Sequence, residues 1–432
     1  MYAPAEALAE ANRCLYCHDA PCITACPTHI DIPSFIRKIA TDNVLGAART
    51  ILSANILGSS CSKVCPVEVL CVGACVYNHE DVPPIQIGRL QRYATDTVLT
   101  TPAAKRLFLP SDHIGRKVAL VGAGPASLAC AAYLSLNGVH AEVFEKSAFA
   151  GGLNTTGIAP YKMAAEGAQN EVDFIRSLGV VTHTSRNVDA ELAKHLLETY
   201  DAVFLGPGLG PDRALSIDGA AGSGVAGATA WIEKMKLDPA TSIDGIRRAV
   251  VVGGGNTALD AAQELAKLGV PEVTVVYRRT EAEMSGYAHE RAGALHDGVR
   301  FLFGRVPLRF VRDGEVLTGL VINGSDEEET LDADLILVAI GQARLTELVA
   351  HFPGVAVEDG RIAGDRATGR TGNPKVYAGG DAWNGGKEVV NAVEEGKIAA
   401  QSMLRSFGVD VTLVQRPKTA SPYETTAPIP HH

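Results

Sequence analysis

Eight of the nine cysteines in this 432-residue chain fall between Cys14 and Cys75. The first run is C-x2-C-x4-C-x3-C-P, with Cys14, Cys17, Cys22 and Cys26, and the second holds Cys61, Cys65, Cys71 and Cys75. Closely spaced thiolates with a remote fourth ligand, and proline after the last cysteine of a run, mark two-cluster ferredoxins. Such turns point sulfur inward and let backbone N–H groups solvate the sulfides of a cubane. Two four-cysteine zinc sites would use the same eight sulfurs, because ligand spacing alone discriminates poorly.

Two glycine turns supply a second kind of chemistry. In "GAGPAS", Gly122 and Gly124 follow an apolar strand and open a helix, with the small Ser127 in the third fingerprint position. The first glycine permits the turn, and the second lets backbone approach a pyrophosphate that the helix N-terminus stabilises. Glu145 ends the next strand, where an acid accepts from ribose hydroxyls. "GGGNTA" places Gly253, Gly255 and Ala258 in the same frame, but its next strand ends in Arg278 and Arg279, with no acid. Arginines there suit a 2′-phosphate, which favours NADP over NAD.

"GGLNTTGI" after Gly151 and "AGGDAW" around Asp381 fit the first cradle as a flavin site, with a helix expected to begin near Glu388 and aim its positive end at the flavin. Candidate FAD contacts are Gly122, Gly124, Pro125, Ala126, Glu145, Lys146, Gly152, Leu153, Lys162, Gly380, Asp381, Glu388 and Val389. Candidate NAD(P) contacts are Gly253, Gly254, Gly255, Asn256, Thr257, Arg278, Arg279, Ala339, Ile340 and Gly341. Beyond residue 76 the only thiol is Cys130, inside the apolar "LACAAYL", so no redox dithiol stands beside the flavin. Its electrons need a one-electron exit, and that context favours two 4Fe–4S clusters over zinc. Hydride transfer between cofactors needs no side chain as acid or base.

These residues require elements to hold them. "IPSFIRKIATDN" and "LGAARTILSAN" have helical spacing, and strand–turn–helix–strand units start at Lys117 and, again, about 130 residues later. Strands are expected in "VRFLFGRVPLRFVRDGEVLTGLVI", "ADLILVAIG" and "NPKVYAGGDAW", and a helix in "VVNAVEEGKIAAQSMLRSF". The fold class expected is α/β, with two Rossmann-like domains after an α-helical iron–sulfur domain. Residues 1–112 would be the helical domain, 113–245 and 343–410 the FAD domain, 246–342 the NAD(P)H domain, and 411–432 a poorly ordered tail. A net charge of −10 disfavours nucleic acid or an anionic membrane as partner. No signal peptide or apolar span is visible, and a cytoplasmic location is expected.

"NRCLYCHDAPCITACPTHIDIPSFIRKI", "LGSSCSKVCPVEVLCVGAC" and "PIQIGRLQRYATD", followed by GAGPAS, EKSAFAGGL, GGGNTALDAA, VYRR and GGD, resemble the N-terminal portion of dihydropyrimidine dehydrogenase over residues 10 to 405 or so. The bacterial flavin and iron–sulfur subunit of that enzyme is similar throughout, and the glutamate synthase small subunit shares the layout. The resemblance implies one cubane on Cys14, Cys17, Cys22 and Cys75, and a second on Cys26, Cys65, Cys71 and Gln91, with Cys61 spare. It further implies NADH or NADPH as donor and an FMN-containing, pyrimidine-reducing partner in a heterotetramer. Lys162 stands where the family has arginine, and Ser285 replaces an arginine that contacts the nicotinamide phosphate in the animal enzyme; both departures weaken those contacts. The alternatives are a glutamate synthase small subunit and a redox-sensing scaffold.

Overall fold

The computed structural model describes residues 1–220, 222–324 and 327–410, so the expected tail from residue 411 lies outside the described residues. The expected helices form at Ile32–Ala40 and Val44–Ala54. Each is started by a side-chain cap, Asp31 accepting from Ser34 N at 3.1 Å and Asn43 from Gly46 N at 2.8 Å. Pro4–Ala11, Gly58–Val64 and Ile87–Leu99 are further helices of this part. Its core is Phe35, Ile36, Ile39, Ile51 and Leu90, packed with Cys26, Cys61, Cys71 and Cys75. Among the described residues no helix is long and apolar enough to cross a membrane.

Two five-stranded parallel sheets share the order of four strands and differ in the fifth, an edge strand that comes last in the chain order of one and first in that of the other. In the first, Lys117–Val121 lies between His140–Phe144 and Ala202–Leu205, and the outer strands are Val181–His183 and Val376–Ala378. In the second, Arg248–Val252 lies between Glu272–Tyr277 and Leu335–Val338, flanked by Arg300–Phe303 and Val225–Gly227. An antiparallel sheet of Pro307–Asp313, Val316–Asn323 and Glu328–Asp332 follows.

The chain divides into two compact units. One comprises Met1–Gly151, Gln169–Gly208 and the chain from Thr346 on; the other comprises Gly152–Ala168 and Leu209–Leu345. The first therefore contains both the cysteine-bearing helices and the first sheet. Three features knit it together. All of helix Pro125–Leu136 after Pro125 is buried, Cys130 included. Helix Val389–Ser406 meets it so closely that a Cβ on Gly396 would stand 2.1 Å from Ala126 O. Lys397 Nζ donates to Thr28 O at 3.2 Å and Ala54 O at 3.4 Å. In the second unit, Val225–Gly227 hydrogen-bonds beside Leu335–Val338, so this unit's sheet takes in a strand that precedes residue 246.

Candidate cofactor sites

Gly122 leaves its strand at φ 86°, and a Cβ there would lie 2.5 Å from Gly206 O. Conformation and space both demand glycine at this turn. Gly124 is different. It is extended, at φ −77° and ψ 177°, and an added Cβ would meet nothing within 4 Å. Any residue could adopt that backbone, so what glycine preserves is open space over the N-terminus of helix Pro125–Leu136, where free N–H groups could receive an anion. Buried Glu145 accepts from Ala123 N at 2.7 Å and Ser147 N at 2.8 Å, fixing its carboxylate at the strand end. Lys146 is exposed. Gly151 N donates to Ala123 O at 2.8 Å, tying the "GGL" turn to the same loop.

Asp381 opens the short helix Asp381–Asn384, and Glu388 caps Val389–Ser406, the helix start expected from sequence. Glu395, which the sequence reading missed, accepts from Gly380 N at 2.7 Å and from Asn384 Nδ2 at 3.0 Å. It holds the "GGD" loop, at φ 74° for Gly380, while burial pushes its carboxyl up. Only the adjacent small residue Gly396 hinted that this helix face is tightly packed.

The second cradle repeats the pattern. Gly253 has φ 152°, and its Cβ would stand 2.3 Å from Ala339 O; Gly254 lies on the Tyr277 ring, 2.3 Å from a built Cβ. Gly255, extended at φ −95°, again faces open space, with only Ser285 Oγ at 3.7 Å. Asn256 Oδ1 accepts from Tyr287 N at 3.0 Å, fastening the helix start, which also carries Thr257, to the following loop. Arg278 and Arg279 are exposed, as is Ile340; Ala339 is half-buried, and Gly341 has φ 100°.

Gly152 and Leu153 sit in the second unit at the start of the short helix Leu153–Thr156, and Asn154 Oδ1 is buried there without a partner. Lys162, expected at the flavin, is a member of this unit too, and its ammonium is held 2.6 Å from both Asp260 and Glu290. Two carboxylates therefore already match its charge.

Cys14, Cys17, Cys22 and Cys75 line one cavity with Ile32, Ile36, Ile85 and Ile87. The sulfurs thus surround an apolar space instead of meeting at a point, and among the described residues no three Cys, His, Asp or Glu side chains converge on a single-ion site. Burial first, then Cys14 and Cys75, push the Cys22 thiol up to about 12. A polycationic iron core relieves both effects at once, and this donor set fits one. Cys71 is pushed up to about 12 by burial and by Cys26, with Cys22 also contributing, so the two sets adjoin. Cys65 feels Cys61, Cys71 and Glu388. Buried Gln91 donates from Nε2 to Gly58 O at 2.7 Å, which fixes the orientation of its amide.

Residues 116–396 match the pyridine nucleotide-disulphide oxidoreductase family. The chain belongs to that family. Residues 1–102 match the 4Fe–4S domain II of dihydropyrimidine dehydrogenase. The chain is 32% identical to the NADPH glutamate synthase small chain of Halomonas elongata, covering 93% of this chain and 91% of that one. It is 35% identical to the NAD-dependent dihydropyrimidine dehydrogenase subunit PreT homolog of Salmonella typhi, covering 93% and 94%. A solved thioredoxin reductase of T. acidophilum shares the fold, with a TM-score of 0.55 and 22% identity over 67% of this chain and 99% of that one. This pyridine nucleotide-disulphide oxidoreductase is thus an NAD(P)H-dependent flavin and iron–sulfur enzyme, with FAD, 4Fe–4S and NAD(P)H as its cofactors.

The oxidoreductase also holds a buried acid that the motifs did not announce. Glu171 accepts from Ser59 N at 2.8 Å, from Ser60 N at 3.0 Å, and from Ser60 Oγ. Burial pushes its carboxyl up to about 7, against the pull of those donors and Lys63. Below pH ~4.5 the group is protonated in both folded and unfolded chains. As pH rises toward 7 the unfolded chain releases its proton first, so stability falls across that window. Glu171→Gln should remove this slope, shrinking the stability difference between about pH 5 and 8 by roughly 2 kcal/mol. Denaturant midpoints at the two pH values check it, and an unchanged slope would place the titrating group elsewhere.

The exposed arginines give a separate test. Replacing both Arg278 and Arg279 by alanine should raise KM for NADPH at least ~10-fold, since charge-assisted contacts each contribute about 1.5–3 kcal/mol, and leave NADH within about 2-fold. Equal effects on both coenzymes would remove these residues from the 2′-phosphate.

Proposed function

We propose that this chain is the electron-input subunit of a two-component enzyme. The observation that carries this is the placement of both cysteine sets and the first cradle in one compact unit, with Val389 and Val390, next to Glu388, packed into the cysteine-bearing core. When bound, FAD accepts a hydride from NAD(P)H and releases electrons singly to 4Fe–4S clusters. Gly122, Gly124, Glu145, Asp381 and Glu388 hold the FAD, while Gly253, Gly255 and Asn256 cradle the nicotinamide coenzyme. Cys26, Cys65, Cys71 and Gln91 ligate the cluster beside Glu388. Cys14, Cys17, Cys22 and Cys75 ligate the other.

From the set of Cys14, Cys17, Cys22 and Cys75 the electrons would leave to an FMN-containing partner that reduces uracil or thymine at the 5,6 double bond. Support comes from the dihydropyrimidine dehydrogenase names of the relatives and of the matched iron–sulfur domain. The rival is a glutamate-forming partner, as in the Halomonas relative. Steady NAD(P)H oxidation with an artificial one-electron acceptor tests the input role, and its absence would leave a sensor or scaffold. Mixing the purified chain with each candidate partner then decides the output. Uracil reduction is the expected result; glutamine-dependent glutamate formation would overturn it.

A further inference from the structure

Cys61 is the one thiol of the two runs without a place in the proposed ligand sets, yet it is only 3% exposed. It sits one helical turn before Cys65, whose N–H donates to Cys61 O at 3.0 Å. That spacing places the two residues one above the other on the same face. On its other side Cys61 Sγ accepts from Asn55 Nδ2 at 3.1 Å. Asn55 is fully buried, and its Oδ1 accepts from Leu57 N at 3.1 Å. The backbone therefore fixes which end of the amide meets the sulfur. A buried amide is costly unless both its ends are used, and here one end serves only the non-ligand thiol. With its acceptor side filled by Asn55, Cys61 has its S–H left to point toward Cys65.

We propose that Cys61 is a positioning residue of the electron path: its S–H, aimed by Asn55, donates to the Cys65 sulfur and raises the reduction potential of the cluster beside Glu388. The assignment rests on the ligand sets proposed above. Reduction puts one more electron on the cluster and its sulfurs, and a donor to a ligating sulfur stabilises that more negative state. The cluster next to the flavin becomes the better acceptor, which favours forward transfer.

The experiment uses holoprotein of the wild type, Cys61→Ala and Cys61→Ser, with iron and sulfide content measured first. Redox titration followed by electron paramagnetic resonance then gives the midpoint of each cluster. Cys61→Ala should keep full iron, move one midpoint to a more negative value and leave the other unmoved. Cys61→Ser, whose O–H can replace the S–H donor, should return that midpoint toward wild type. Full iron with neither midpoint shifted in Cys61→Ala would overturn the proposal, as would a Cys61→Ser shift equal to that of alanine. Loss of about half the iron from Cys61→Ala would overturn it differently, by making Cys61 a ligand and removing Gln91 from the set. A wild type that binds no iron would instead sink the two-cluster reading itself. If Cys61→Ala does not fold, Asn55→Ser serves in its place, with the same single-midpoint shift expected and its absence overturning the proposal.

Discussion

Purified Gly124→Val protein should be folded but free of FAD. Gly124 has ordinary extended backbone angles and no neighbour within 4 Å of a built Cβ, so a side chain there begins without backbone strain and in open space. Its two methyl groups would fill the space that a pyrophosphate needs at the N-terminus of helix Pro125–Leu136. Losing those charge-assisted N–H contacts should weaken FAD by more than ~100-fold, or roughly 3 kcal/mol. Flavin absorbance of the purified protein reads the loss, and circular dichroism reads the fold. Gly122→Ala makes a useful contrast. At φ 86° and 2.5 Å from Gly206 O, the added methyl disturbs the protein itself, so destabilisation and flavin loss should come together. A Gly124→Val variant that stays yellow would mean that the first cradle holds no pyrophosphate.

The second large effect is expected from Cys22→Ser. Cys22 lines the four-cysteine cavity, where its neighbours and burial disfavour any uncompensated thiolate. Serine is a poor match for iron that wants soft ligands. Iron content should fall to about half, because Cys71 and its set keep their own sulfurs. Reduction of FAD by NAD(P)H, followed in a single turnover, should survive, whereas delivery of electrons to the partner should drop at least ~100-fold. If partner reduction survives with only half the iron, the first set is not the exit.

Much of this was legible in the sequence because the chemistry is local. Glycine turns between a strand and a helix, and cysteines a few residues apart, carry their meaning within a short window. The helix capped by Glu388 was likewise readable from its periodicity. What stayed hidden depends on partners distant in sequence. Glu171 gains its role from Ser59 and Ser60, more than a hundred residues earlier, and nothing around it marks it as buried. Val225–Gly227 is too short to show an alternating pattern, so its membership of the second sheet emerges only from its pairing with Leu335–Val338. Lys162 read as a flavin contact by position, but Asp260 and Glu290, about a hundred residues further on, decide what its charge does.

The return of Val376–Ala378 to the edge of the first sheet has a consequence for biosynthesis. The cysteine helices are synthesised long before Lys397, which ties Thr28 and Ala54 together. Until then the N-terminal helices lack the long helix that covers them, and the first sheet lacks an edge strand. Domains usually fold as they emerge; here a nascent or truncated chain must wait with its thiols incompletely sheltered. Arrival of helix Val389–Ser406, rather than synthesis of the cysteine segment, then becomes the natural checkpoint for loading iron and flavin.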